Sequence, residues 1–144
     1  MAAAGNSGTP LLKKLGYAAG QRACLVAVPV AELLAFEGFA KRRLLKDLDA
    51  LEREKGPFEL VHLFVREAAV LPVVLRHARE RIVPSGMIWV SWPKKAARIA
   101  TDVTDAVVRR DAIAADLVDI KVCAIDATWS GLKLVIPKAM RGKA

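Results

Sequence analysis

Residues 117–136 read LVDIKVCAIDATWSGLKLVI. Two apolar runs, 117–125 and 132–136, flank the short segment Asp126, Ala127, Thr128, Trp129, Ser130, Gly131. Runs rich in Val and Ile, bounded by Asp, Ser and Gly, read as strands. So short a connection cannot hold a helical crossover, so these two strands must be antiparallel neighbours. That pair closes whatever sheet the rest of the chain builds.

Upstream, strands alternate with helices. Residues 23–28 (ACLVAV) are continuously apolar, which suits a strand buried on both faces, and Pro29 ends it. Residues 58–65 (FELVHLFV) form a second such run behind the breaker Gly56-Pro57. Residues 87–92 (MIWVSW) form a third, entered by a Pro84-Ser85-Gly86 turn and stopped by Pro93. Between them, Leu33, Leu34, Phe36, Leu44, Leu45, Leu48 and Leu51 keep helical spacing, with Gly38 dividing two pieces. Residues 68–82 are helical, with Pro72 in the first turn. Thr101 and Thr104 are alternative N-caps for a helix through Val108 and Ile113. Thr9-Pro10 starts a short helix ending at Gly16. The order predicts a three-layer Rossmann-like α/β fold. Its sheet has about five strands, mostly parallel with one antiparallel, and helices on both faces. Residues 1–8 form a flexible N-terminus, 9–137 a single domain and 138–144 a basic tail.

The chain has 144 residues and a formal net charge of +8. That length makes one domain with a sizeable core. Cys24 and Cys123 lie far apart in apolar runs, the usage of reduced, cytoplasmic proteins, and are read as buried and unreactive. The apolar stretch 23–40 is interrupted by Glu32, Glu37, Pro29 and Gly38, so no membrane span is expected. No signal peptide is seen.

Four segments carry a resemblance: SGTPLLKKLG at 7–16, WVSWPKKA at 89–96, TDVTDAVVR at 101–109 and LVDIKVCAIDATWSGLK at 117–133. Through them the chain resembles a bacterial family known as a domain of unknown function, number 3052. Its second half is also similar to that of a class I methyltransferase. The resemblance implies the methyltransferase-like fold and no particular substrate.

The sequence argues against methyl transfer. Cofactor sites of this fold type use a glycine-rich turn after the first strand, so that backbone N–H groups can approach the ligand. Here that turn is Val28-Pro29-Val30-Ala31-Glu32, without glycine. The acidic residue expected about 20 residues on has candidates in Asp47, Asp49 and Glu52, but no strand to sit on. No S-adenosylmethionine or other cofactor is therefore expected. His62 reads as a core histidine and His77 as solvated, with no metal-ligand spacing and no catalytic triad.

The strongest constellation is Ser91, Trp92, Lys94 and Lys95, at the carboxyl end of the third strand. Asp126, Trp129 and Ser130 form a second cluster, which the topology brings to the same sheet edge. Together they predict a site with two indoles for stacking and two ammonium groups for an anion. Thr101, Asp102, Thr104 and Asp105 read as helix-start groups, and Ser7, Gly8 and Thr9 as a plain N-cap. Residues 41–81 carry ten basic and seven acidic side chains, a mixed surface.

The sequence therefore predicts a non-catalytic or unassigned module that binds a small anionic ligand or a protein partner. The alternatives are a methyltransferase with an atypical cofactor loop and a basic nucleic-acid-associated protein. A first strand at the sheet edge would favour a homodimer.

Overall fold

The computed structural model describes residues 11–18, 20–36 and 42–141. Among them are strands β1 (Ala23–Val26), β2 (Arg42–Leu45), β3 (Phe58–Phe64), β4 (Ile82–Pro93), β5 (Val118–Ala124) and β6 (Trp129–Val135). Three α-helices join them: α1 (Leu11–Lys14), α2 (Leu71–Glu80) and α3 (Asp105–Ala114). The sheet order is β2-β1-β3-β4-β6-β5. The first four strands in that order are parallel, and β6 runs antiparallel to both β4 and β5. The closing antiparallel pair thus follows the turn-length argument.

Six strands replace the expected five. The extra one is β2, whose residues were expected to be helical because Leu44, Leu45, Leu48 and Leu51 are spaced for it. Pairing with β1 wins instead, from Ala23↔Arg42 to Val26↔Leu45. Only Leu45 of this edge strand is buried, so it carries almost no strand signature. Leu48 and Leu51 fall in a following 3-10 helix, Leu48–Arg53, started by Asp47, whose carboxylate accepts the Ala50 N–H. Pro84, Ser85 and Gly86 are not a separate turn; they belong to β4, beside a register shift in β3 between Phe58 and Leu60. The expected helix start at Thr9, the anion reading of Ser7–Thr9 and the break at Gly38 lie outside the described residues.

The sheet separates two apolar layers. Cys24, Val26, Val61, Leu63, Ile88, Val90, Trp92, Leu132 and Leu134 point toward α2 and α3. Ala23, Leu25, Leu60, Phe64, Trp89, Cys123 and Trp129 point the other way, toward α1 and the 3-10 helix Val30–Phe36. Alternate residues of each strand serve alternate layers, as the pleat requires. Pro72 sits in the first turn of α2 and Thr104 caps α3, accepting the Val107 N–H. Thr101 instead donates to the Arg66 carbonyl at 2.7 Å.

Two buried hydrogen bonds fasten the N-terminal segment. The Trp89 indole donates to the Leu15 carbonyl at 2.7 Å. The Tyr17 hydroxyl meets His62 Nδ1 at 2.8 Å, and His62 Nε2 meets Ser91 Oγ at 2.6 Å. His62 is fully buried, as a hydrogen-bonded core histidine should be.

Cys24 and Cys123 are buried and free, on strands β1 and β5 with three strands between them. Burial pushes the Cys24 thiol up to about 12, with the Glu54 charge adding to it. The first strand is not an edge: β1 lies between β2 and β3, which removes the ground for dimerisation through it. The edges are β2 and β5. β5 exposes Val118, Ile120 and Val122, yet carries Asp119, Lys121 and a bulge between them. Charges and bulges are devices that discourage edge pairing.

Candidate functional site

Four parallel strands deliver their carboxyl ends to one edge of the sheet, the usual place for a ligand in open α/β proteins. Beyond those ends lies an open cavity of about 800 Å³. Its lining includes Ala27, Pro29 and Glu32 after β1, Lys46 and Asp47 after β2, and Arg66 and Glu67 after β3. Phe64 at the end of β3, with Thr128 just before β6 and Trp129 at its start, adds to the wall.

The turn after β1 keeps an unusual backbone. Ala27 has φ 61°, in the left-handed region that glycine favours. An alanine there costs on the order of 1–2 kcal/mol. The Ala27 N–H bonds the Leu45 carbonyl at 3.0 Å, which fastens this corner to the end of β2. The chain then enters the 3-10 helix Val30–Phe36, and the loop does not block the cleft.

Glu32, on the cavity wall, lies near enough to Asp126 for the two carboxyls to influence each other. Burial raises the Glu32 carboxyl, and the hydrogen bond to Asp126 and that neighbour's charge add to it, up to about 8. Burial also pushes Asp126 up. The hydrogen bonds from Glu32 and from the Trp129 and Thr128 N–H groups, with the charge of Lys94, outweigh it and hold Asp126 below its ordinary value. Both N–H groups lie 2.8 Å from Asp126 Oδ1. Glu32 therefore holds its proton more tightly than an ordinary carboxyl, and Asp126 gives its proton up more readily.

This pair makes stability depend on pH. Glu32 binds its proton more tightly in the folded state than in the unfolded chain, so stability falls as pH rises from about 4.5 to about 8. Asp126 acts oppositely and only below its ordinary value of 3.8. Glu32→Gln keeps a donor toward Asp126 and has no proton to lose. Melting temperatures measured from pH 5 to 9 should decline less in this variant than in the parent chain. Parallel declines would assign the pH dependence to other groups.

The structure brings together only part of the expected constellation. Lys94 and Asp126 are close enough for the lysine charge to act on the carboxylate, and Trp129 lines the cavity. Ser91 is fully buried against His62 and faces no ligand space. Trp92 is 7% exposed and packs in the α2/α3 layer, whereas Trp129 is 4% exposed and packs in the α1 layer. The two indoles thus face opposite sides of the sheet and cannot form the expected stacking platform. Trp129 and Ser130 belong to β6, not to its connection, and Ser130 lies opposite Trp92. Lys95 is exposed on the 3-10 helix Lys95–Ala97.

The expectation that the acidic residue lacks a strand is corrected: Asp47 follows the end of β2 by two residues and lines the cavity. Its distance from β1 in sequence was the available signal. Arg66 and Glu67 gave none, because nothing in their local sequence marks a strand end facing a cleft. Among the described residues no group of His, Cys, Asp and Glu could hold a metal ion. No helix among them is long and apolar enough to cross a membrane.

No protein-family model matches the chain, and no curated protein matches it in sequence. Solved structures do. Magnesium protoporphyrin IX methyltransferase from Synechocystis PCC 6803 with bound S-adenosylmethionine aligns with TM-score 0.63 at 12% identity, over 87% of this chain and 74% of that one. The antibiotic-resistance methyltransferase Kmr aligns with TM-score 0.53 at 14% identity, over 88% and 91%. CalO1, a methyltransferase in calicheamicin biosynthesis, aligns with its S-adenosylhomocysteine-bound form at TM-score 0.58 and 14% identity, over 81% and 49%. The chain spans 45% of SMU.776, another matched structure. The fold is that of the class I methyltransferases.

Proposed function

We propose that the chain binds S-adenosylmethionine in this cleft and acts as a small methyltransferase with an atypical cofactor loop. The observation that carries this is Asp47. It lies just beyond a β2 that pairs with β1, on the wall of an open cavity, where a carboxylate can accept hydrogen bonds from ribose hydroxyls.

The residues fit such a ligand. One Asp47 oxygen accepts the Ala50 N–H, which leaves the other for a ligand. Ala27 already holds the backbone conformation of a glycine turn. Phe64 and Trp129 give the cavity an apolar end wall. Glu32 is neutral near pH 7 and so does not set an isolated negative charge in the cleft. When bound, S-adenosylmethionine would supply a methyl group on an electrophilic sulfonium. The chain's own part is to hold the adenosine end and to keep Glu32 protonated at the rim.

Pro29, which offers no N–H, favours a second reading: a ligand-binding module that has lost catalysis. Calorimetry with S-adenosylmethionine and S-adenosylhomocysteine separates the two from a chain that takes neither. Binding should be measurable in the parent chain. Asp47→Ala should weaken it by about tenfold or more, the usual loss when a hydrogen bond to a charged group is removed. Heat with neither ligand would overturn the proposal. Binding without turnover on any acceptor would leave the module. From the four sequence segments we also infer membership of the bacterial family 3052, and from the two free, buried cysteines a reducing, cytoplasmic setting.

A further inference from the structure

The charged side chains divide between the two faces of the sheet. Every ion pair among the described residues is made by an arginine: Arg43–Glu54, Arg81–Glu80, Arg109 with Asp105 and Asp119, and Arg110–Asp111. None of them involves the lysines on the α1 side. There, Lys121 of β5 lies directly opposite Lys133 of β6. Directly opposed side chains are about 5 Å apart at Cβ, and like charges so placed repel. The Lys121 ammonium also reaches the Lys14 carbonyl at 3.4 Å, which brings α1, with Lys13 and Lys14, to the same place. Lys13, Lys14 and Lys121 are exposed and Lys133 is half-buried. Two opposed lysines and two more beside them, with no carboxylate paired to any of them among the described residues, give this face a positive field.

We propose that Lys13, Lys14, Lys121 and Lys133 form a docking surface for the phosphate backbone of a double-helical nucleic acid. The surface lies on the opposite side of the sheet from α2 and α3, and it stands independently of the ligand assigned to the cleft. Lysine suits this partner as a point charge for phosphate. A single strand is disfavoured, because it is held by bases stacking on exposed rings. Every described Trp, Tyr and Phe is buried, so the described residues of this face offer no exposed ring. Contact is therefore to the backbone, without sequence readout.

Fluorescence anisotropy of the full chain with a labelled duplex of mixed sequence, titrated with KCl, tests the proposal. Each lysine–phosphate contact adds about 0.9 to the slope of log K against log salt. Lys121→Gln combined with Lys133→Gln should lower that slope by about two. Lys94→Gln combined with Lys95→Gln removes the same charge from the cleft edge and should leave the slope nearly unchanged. The expected result is a loss confined to the first pair. Equal losses in both variants would reduce the effect to net charge and overturn the proposal. So would no binding at low salt, or tighter binding to phosphatidylserine vesicles than to the duplex. A circular-dichroism melt of each variant checks that it is folded.

Discussion

His62→Leu is expected to destabilise the protein by about 1–3 kcal/mol or more, because it leaves the buried Ser91 hydroxyl without its partner and takes one hydrogen bond from Tyr17. Tyr17 Oη lies 2.8 Å from the imidazole and Ser91 Oγ 2.6 Å from it. The three groups link the segment after α1 to the adjacent central strands β3 and β4. A urea titration should show the midpoint fall with little change in slope. Adding Tyr17→Phe and Ser91→Ala to the same chain should recover much of the loss, since none of the three side chains then carries an unpaired polar atom. Failure of that rescue would show that the ring's shape, not its hydrogen bonds, holds the site. The imidazole also has a pH signature. Burial lowers it to about 3, so the folded state excludes a proton that the unfolded chain accepts near 6.5. Its contribution is complete above about 6.5 and is lost as pH falls toward 3, and the leucine variant should lack that part of the acid sensitivity.

Trp89→Ala should cost about 3–5 kcal/mol, the range for removing a buried aromatic side chain. Trp89 is fully buried and packs in the α1 layer, and its indole N–H is bonded to the Leu15 carbonyl. At roughly 2–4 °C per kcal/mol, the melting temperature should drop by about 10 °C. Trp89→Phe keeps most of the packing and removes the donor, so it isolates the Leu15 bond. Hydrogen exchange at Leu15, Gly16 and Tyr17 should then accelerate before the rest of the sheet responds. Uniform acceleration across β3 and β4 would mean that α1 unfolds only with the whole domain.

The parts of this fold visible in the sequence are those where side chains carry the information. β1 is apolar at all four positions because it is covered on both faces, and β3 is nearly so. The antiparallel pair was legible from the length of its connection alone. β2 was not: it is four residues long and buries one side chain, and backbone pairing with β1 defines it. The predicted site failed at Trp92 and Trp129 for a reason of register. Trp92 pairs with Ser130 and Trp129 with Pro93, so the indoles are one residue out of step. One step in a strand turns a side chain to the opposite face. The meeting of Glu32 with Asp126 could not be seen either, since they are distant in sequence and only strand order brings them together. Asp47 was within reach, because its distance from β1 was right and only the strand beneath it was missing.

Ala27 bears on how such sheets can change their ligands over time. Its φ of 61° shows that the corner after β1 can be held in its characteristic shape by the bond to Leu45 rather than by the residue best suited to it. A pattern search that demands glycine at this corner passes over the chain, while a search on backbone angle finds it. One codon change, Ala27→Gly, would supply the residue best suited to this corner, with Pro29 still in the turn. The substitution would relieve the strain without moving the main chain, because glycine adopts this φ at no steric cost.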